Sequence, residues 1–87
     1  MTIKSVTLTN KEGLHGDHAM AVIQKSNEFD CAIWLEKDSR RINAKSLLGM
    51  LALDARKGDA LTVITDGHNE SEVLDSIAAL LLSGSED

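Results

Sequence analysis

The 87-residue chain is 43% hydrophobic, carries 9 basic and 14 acidic residues for a net charge of −5, and contains one cysteine. This length and composition predict one globular domain over residues 1–87 and exclude a disulfide framework within the chain. The acidic balance argues against binding to nucleic acid or to an anionic membrane surface. No apolar run approaches the ~18 residues of a membrane span, so no membrane insertion is expected.

The first third of the chain predicts a strand followed by a helix. Residues 2–9 are rich in β-branched side chains and alternate apolar with polar positions, which is typical of a half-buried strand. Residues 10–13 form a turn cluster, and residues 16–28 predict a helix. Its buried stripe, with a spacing of three or four residues, consists of Ala19, Val22, Ile23 and Ser26. Met20 and Gln24 fall outside this stripe and are expected to face outward.

The middle of the chain predicts a β-hairpin and then a short helix. Residues 31–36 and 40–44 read as two strands joined by a tight turn, with Cys31 in the core. Ser46 precedes an apolar run and is a natural N-cap for a helix over residues 47–53. This run has more large apolar residues than one buried face can use, so we expect an exposed patch that marks a contact surface. The candidates are Leu47, Leu48 and Leu51.

The last part predicts a strand over residues 60–65 and a final helix. Asn69 is expected to cap this helix, with Glu72 completing a capping box, and Gly84 to end it. Its predicted buried stripe is Val73, Leu74, Ile77, Ala78, Leu80 and Leu81. The order β-α-β-β-α-β-α fits either a ferredoxin-like fold with an added helix or an open-faced sandwich. The short second helix favours the sandwich.

One segment, Gly13 to Met20, carries the chemistry. His15 is predicted at a helix N-terminus, where unpaired backbone N–H groups favour an anion, so this ring is well placed to carry a phosphoryl group. Two other interpretations remain open. His15 by itself is compatible with an ordinary surface or capping residue, and His15, Asp17 and His18 together could be read as a weak metal site.

Three motifs carry a resemblance to a known family. They are Gly13-Leu14-His15 with Ala19, the longer second motif made of Leu35 to Asp38 and Asn43 to Met50, and Lys57-Gly58. The chain resembles HPr, the histidine phosphocarrier family of the bacterial sugar phosphotransferase system. The resemblance implies an α+β open-faced β-sandwich, with a four-stranded antiparallel sheet covered on one face by three helices. It also implies a carrier protein that is not itself an enzyme and needs no cofactor.

The resemblance implies partners as well. In the family the histidine corresponding to His15 takes its phosphoryl group from Enzyme I and passes it to EIIA-type proteins in the cytoplasm. The serine corresponding to Ser46 is phosphorylated by HPr kinase in many relatives, which links the protein to a transcription regulator. The surface offered to partners corresponds to Met20, Gln24, Leu47, Leu48 and Leu51.

The chain departs from the family pattern directly after Gly16. The family has Arg-Pro at the two positions where this chain has Asp17-His18. An anion about 4 Å from a phosphoryl group costs about 1 kcal/mol in water and about 4 kcal/mol near a protein surface. His18 is expected to restore part of the missing positive charge. Two hypotheses follow: a phosphocarrier impaired by Asp17, or a regulatory module that acts through Ser46 and protein docking.

Overall fold

The computed structural model describes residues 1–83, which include seven helices and strands. In chain order they are β1 (Thr2–Thr7), α1 (Gly16–Asn27), β2 (Ala32–Lys37), β3 (Arg40–Asn43), α2 (Leu47–Leu53), β4 (Ala60–Asp66) and α3 (Glu70–Leu82). The predicted order is confirmed, and the predicted bounds differ from these by at most two residues. The expected end of the last helix at Gly84 lies outside the described residues. In this part of the chain no helix is long and apolar enough to cross a membrane.

The four strands form one antiparallel sheet in the order β1-β4-β2-β3. In its register Val6 lies opposite Leu61, and Leu35 lies between Val63 on β4 and Ile42 on β3. β2 and β3 form a hairpin, whereas β4 separates β1 from β2 and β2 separates β3 from β4. The two connections that cross a strand contain α1 and α2, which lie over the same face. The fold is the α+β open-faced β-sandwich that the sequence predicted.

The core lies between this sheet and the helices. Alternate strand residues such as Leu35, Leu61 and Val63 are fully buried, because period-two alternation turns them all to the helical side. The predicted stripe of α1 is buried in full, and that of α3 is buried except for Leu80, which is partly exposed. Cys31 is also buried in the core, as predicted.

The start of α3 differs from the prediction. Asn69 adopts a left-handed backbone conformation with φ 57°, and its side chain caps nothing, so the predicted capping box with Glu72 is wrong. Glu70 instead organises this turn. Its carboxylate accepts hydrogen bonds from the Met1 amino group at 2.7 Å, the Thr2 hydroxyl at 2.5 Å and the Gly67 N–H at 3.0 Å.

These three donors hold the pKa of Glu70 at about 2, far below its ordinary value of 4.5, and the Met1 amino group is the main cause. A carboxylate whose pKa is lower in the folded than in the unfolded protein stabilises the fold above the unfolded pKa. That stabilisation is lost as the pH falls from about 4.5 through about 2.

We expect Glu70→Gln to flatten the acid dependence of stability. The free energy of unfolding of the parent should fall more steeply between pH 4.5 and pH 2 than that of the variant, because only the parent must protonate Glu70. Urea unfolding at several pH values measures this slope. Glu72→Gln, at an exposed position in the same first turn of α3, changes the net charge equally and serves as the control. Equal slopes for the two variants would contradict the assignment.

Candidate functional site

The loop before α1 lies directly against the loop after α2. The Leu14 N–H donates to the Ala55 carbonyl oxygen at 2.9 Å. Gly13 has φ +67°, and a Cβ built on it would lie 2.7 Å from both the Ala55 carbonyl oxygen and the Arg56 Cα. Only glycine permits this approach, because it combines a left-handed backbone with the absence of a side chain. The hydrogen bond and the close approach at Gly13 therefore fix the distance between the backbones of the two loops.

His15 is the N-cap of α1, and its carbonyl oxygen accepts the first helical hydrogen bond from Ala19 at 3.3 Å. The following residue, Gly16, has φ +54°, so the chain turns sharply as it enters the helix. The His15 side chain makes no hydrogen bond to the helix-start N–H groups. Its side chain is about one-third exposed, at 35%.

Both ring nitrogens of His15 face oxygen acceptors. Nδ1 lies 2.9 Å from the Glu12 carbonyl oxygen, and Nε2 lies 2.8 Å from Oδ1 of Asp54. The Glu12 carbonyl, followed by the Asp54 carboxylate, raises the pKa of His15 above 6.5, and partial burial opposes this. Two acceptors favour the doubly protonated ring, because a neutral imidazole donates from one nitrogen only.

Asp54 and Arg56 are the site residues that sequence reasoning missed. Oδ2 of Asp54 accepts a hydrogen bond from Nη2 of Arg56 at 3.0 Å, and this guanidinium, followed by His15, lowers the pKa of the Asp54 carboxyl. Neither residue lies within a motif that carried the resemblance. The contact between Asp54 and His15 spans 39 positions of sequence, so no local pattern reveals it.

Asp17 and His18 occupy the first turn of α1 but point to different surroundings. Asp17 is exposed. The His18 ring lies between two backbone carbonyl oxygens, with Nδ1 3.2 Å from Gly13 and Nε2 2.9 Å from Leu80. Both nitrogens are thus occupied, and neither bonds a group on His15. The ring joins α1 to the last turn of α3. The expectation that His18 restores part of the arginine's positive charge stays a prediction.

These contacts also bear on the metal hypothesis. Within residues 1–83 the structure contains no group of three or more His, Cys, Asp or Glu side chains that could hold a metal ion. The reason at this site is geometric. The ring nitrogens of His15 and His18 face separate sets of acceptors, so with Asp17 they do not form such a group.

Ser46 begins the second helix of the site region. Its hydroxyl oxygen accepts a hydrogen bond from the Gly49 N–H at 3.0 Å, and its carbonyl oxygen accepts one from the Met50 N–H at 3.1 Å. The predicted N-cap is confirmed. The side chain is half-buried, and it stands next to the exposed Leu47.

Comparisons with known proteins agree with this geometry. The family model described as PTS HPr component phosphorylation site matches residues 3–83. The chain belongs to the HPr family. It is 35% identical to HPr-like protein Crh of Halalkalibacterium halodurans over 81 residues, which cover 93% of this chain and 96% of that protein.

A second relative and a solved structure point the same way. The chain is 35% identical to phosphocarrier protein HPr of Treponema pallidum, over 92% of this chain and 91% of that one. It superposes on the crystal structure of HPr-C-His from Thermoanaerobacter tengcongensis with a TM-score of 0.90 and 31% identity, over 93% and 91% of the two chains. The relatives that are similar to this chain therefore include proteins named HPr and proteins named Crh.

An apolar cleft adjoins the HPr-family histidine. It has a volume of about 290 Å³ and lies between α1 and α2, and its wall includes His15, Met20, Leu47 and Leu51. The exposed fractions of the apolar side chains are 42% for Met20, 50% for Leu47, 78% for Leu48 and 60% for Leu51. We call these four side chains the apolar patch. The predicted exposure of the α2 leucines is confirmed, because Met50 and Leu53 fill the buried face.

Gln24 does not join the apolar patch in the same way. It is exposed, as expected, but it lines a separate groove between α1 and α3 together with Lys25 and Ala79. The structure therefore brings Met20, Leu47 and Leu51 together with His15, places Leu48 exposed on the same helix as these leucines, and leaves Gln24 on the neighbouring surface.

We expect Gly13→Ala to destabilise the protein more than Gly16→Ala. Both substitutions place alanine at a positive φ, but a Cβ at Gly13 meets backbone atoms at 2.7 Å, whereas at Gly16 nothing lies within 4 Å. The left-handed conformation costs each variant about 1 kcal/mol, and the clash adds a further ~1–3 kcal/mol at Gly13 alone. Urea unfolding of both variants measures the difference. Equal losses would show that the two loops do not require this approach.

Proposed function

We propose that this protein is a phosphocarrier that accepts a phosphoryl group on His15 and passes it on in the sugar phosphotransferase system. The observation that carries the proposal is the position of the His15 ring, partly exposed at the N-terminus of α1 and at the edge of the apolar cleft. A carrier needs this combination. Its nucleophile must be accessible, and the surface around it must bind one partner after another.

The start of α1 supports the phosphorylated state. The first intrahelical bond is donated by Ala19, so the N–H groups of Gly16, Asp17 and His18 precede the helical ladder. Together with the helix dipole they favour a negative charge at this end. Asp17 opposes it, because a carboxylate near a phosphoryl group is repelled by about 1 kcal/mol or more.

The partners proposed for the carrier are Enzyme I as donor and EIIA-type proteins as acceptors. The apolar patch provides the docking surface, because contiguous exposed apolar side chains next to a reactive group are characteristic of interaction sites. In this proposal the protein acts in the cytoplasm and transfers its phosphoryl group only with partner enzymes. Its own chain supplies the acceptor, with no cofactor.

We expect Enzyme I and phosphoenolpyruvate to label the parent with acid-labile, base-stable phosphate, and His15→Ala to abolish this label. Asp17→Arg should label about fivefold faster or more, because it removes a repulsion of about 1 kcal/mol and adds an attraction. The initial labelling rate is the measurement. Absence of label on the parent, with label on Asp17→Arg, would contradict the carrier function and favour a chain that has lost it.

A second candidate function is regulation through Ser46. Two observations favour it. The Ser46 hydroxyl lies at the N-terminus of α2, where a phosphate is favoured, and it stands beside the exposed Leu47, where a new charge would change docking. The similarity to relatives named Crh at 35% identity adds support. In this function phosphorylation of Ser46 by HPr kinase creates or removes a contact with a transcription regulator.

We expect HPr kinase and ATP to place acid-stable phosphate on the parent and not on Ser46→Ala. The same substitution should lower the free energy of unfolding by about 1 kcal/mol through loss of the N-cap. Ser71→Ala, in the first turn of α3, is the matched control and should label as the parent does. Labelling of Ser46→Ala, or no labelling of the parent, would contradict the regulatory function.

A further inference from the structure

A continuous chain of hydrogen bonds starts at the His15 ring. Nε2 of His15 lies 2.8 Å from Oδ1 of Asp54, and the other oxygen of that carboxylate accepts from Arg56 at 3.0 Å. The three side chains come from two loops that Gly13 and the bond between Leu14 and Ala55 hold together. An imidazole backed by a carboxylate is the arrangement that fixes a histidine tautomer in catalytic sites.

The backbone of Asp54 holds its carboxylate in this position. Asp54 follows α2 with φ 49° and ψ 50°, a left-handed conformation in which helices usually place glycine. Its N–H donates to the Met50 carbonyl oxygen at 3.2 Å, and its own carbonyl oxygen accepts from Nζ of Lys37 at 3.0 Å. A carboxylate at a position where glycine is easiest points to a use for the side chain.

Two acceptors compete for the proton of the neutral His15 ring. The Glu12 carbonyl oxygen at Nδ1 is uncharged, whereas the Asp54 carboxylate at Nε2 carries a full charge. Hydrogen bonds to an ionised acceptor are roughly twice as strong as neutral ones. When the ring loses one proton, the proton at Nδ1 leaves, and the proton at Nε2 stays on the Asp54 side.

We propose that Asp54, held by Arg56, is a positioning residue for phosphoryl transfer, which keeps the His15 proton on Nε2 and thereby makes Nδ1 the phosphoryl acceptor. This inference rests on the proposed phosphocarrier function. Asp54 and Arg56 both lie outside the motifs that carried the resemblance, so the resemblance implies no role for either residue.

Phosphoryl transfer to Nδ1 exchanges one bond at phosphorus for another. The lone pair of Nδ1 forms a bond to the phosphorus of the donor, and the bond from phosphorus to the donor's leaving group breaks with its electron pair. Nε2 keeps its proton, so the phosphorylated ring is an imidazolium whose positive charge faces the Asp54 carboxylate. Once Nδ1 has lost its proton, its lone pair and the Glu12 carbonyl oxygen no longer attract each other, so a small tilt of the ring that keeps the bond from Nε2 to Asp54 opens Nδ1 to the donor.

Arg56 limits the electrostatic cost of this arrangement. The phosphoryl group arrives beside two carboxylates, Asp17 on α1 and Asp54 after α2. The Arg56 guanidinium bonds Asp54 directly and neutralises it. The other groups around the ring are the Glu12 carbonyl and side chain in the preceding turn, and His18, which is bound to carbonyl oxygens.

Nitrogen-15 NMR of labelled histidine tests the tautomer without any partner protein. The parent and Asp54→Asn are compared, and Asn suits the left-handed backbone, so the variant should fold. Asp75→Asn on the exposed face of α3 is the charge-matched control. We expect the neutral His15 ring of the parent to carry its proton on Nε2, and Asp54→Asn to shift protons to Nδ1 and lower the pKa of His15. A parent ring protonated on Nδ1, or spectra unchanged by Asp54→Asn, would overturn the proposal.

Phosphoramidate, a small phosphoryl donor that releases ammonia, tests the reactivity of His15 without Enzyme I. The rate of phosphorylation of His15 is measured at high pH, where the ring is neutral in every variant and the rate no longer changes with pH. We expect Asp54→Asn and Asp54→Gly to react at least about tenfold more slowly than the parent. The Asp75→Asn control should match the parent, and rates in the Asp54 variants equal to or above the parent rate would overturn the proposal.

The coupling to Arg56 is tested with a double variant. Arg56→Gln should slow the phosphoramidate reaction in the parent and have little further effect in Asp54→Asn, because Arg56 acts through Asp54. Arg41→Gln on β3 is the matched control. An equal effect of Arg56→Gln in both backgrounds would overturn this coupling. If phosphoramidate labels His15 and Enzyme I does not, the proposed function fails while the role of Asp54 stands.

Discussion

The functional end of this molecule depends on the close contact between two loops, at Gly13 and at Ala55. The Leu14 N–H bonds the Ala55 carbonyl oxygen at 2.9 Å, and the space that a Gly13 side chain would need is filled by backbone. This contact brings the end of α2 against the start of α1. It therefore places the Asp54 carboxylate against Nε2 of His15 and the apolar cleft beside the same ring.

The charged groups and the helix start at this end of the molecule have opposing effects on an anion. The first turn of α1 favours an anion, Asp17 and Asp54 repel one, and Arg56 neutralises one of the two carboxylates. The His15 ring lies between these influences, with its pKa raised by the Glu12 carbonyl and by Asp54. In the proposed function the phosphoryl group enters a site whose charges partly cancel, which suits a carrier that must both accept and release it.

Much of the fold could be read from local patterns. Alternation identified the strands, the 3.6-residue period identified the buried face of α1, and Ser46 before an apolar run identified the cap of α2. The excess of leucines on α2 predicted exposed side chains, because a helix of seven residues has one buried face and Met50 and Leu53 occupy it. The prediction at Asn69 failed because the N-terminal strand brought Met1 and Thr2 to Glu70, and a capping pattern cannot register such a distant contact.

The sequence by itself determined the order of the elements, the family resemblance and the identity of His15 as the reactive candidate, since each of these depends on residues close together in the chain. Only the tertiary structure decided what surrounds that histidine. It paired Nε2 with Asp54, 39 positions away, directed His18 towards the Leu80 carbonyl, and separated Gln24 from the apolar patch. The physical reason is that side-chain partners across a fold are set by how loops and helices pack, and hydrogen bonds over such separations leave no periodic trace in the sequence.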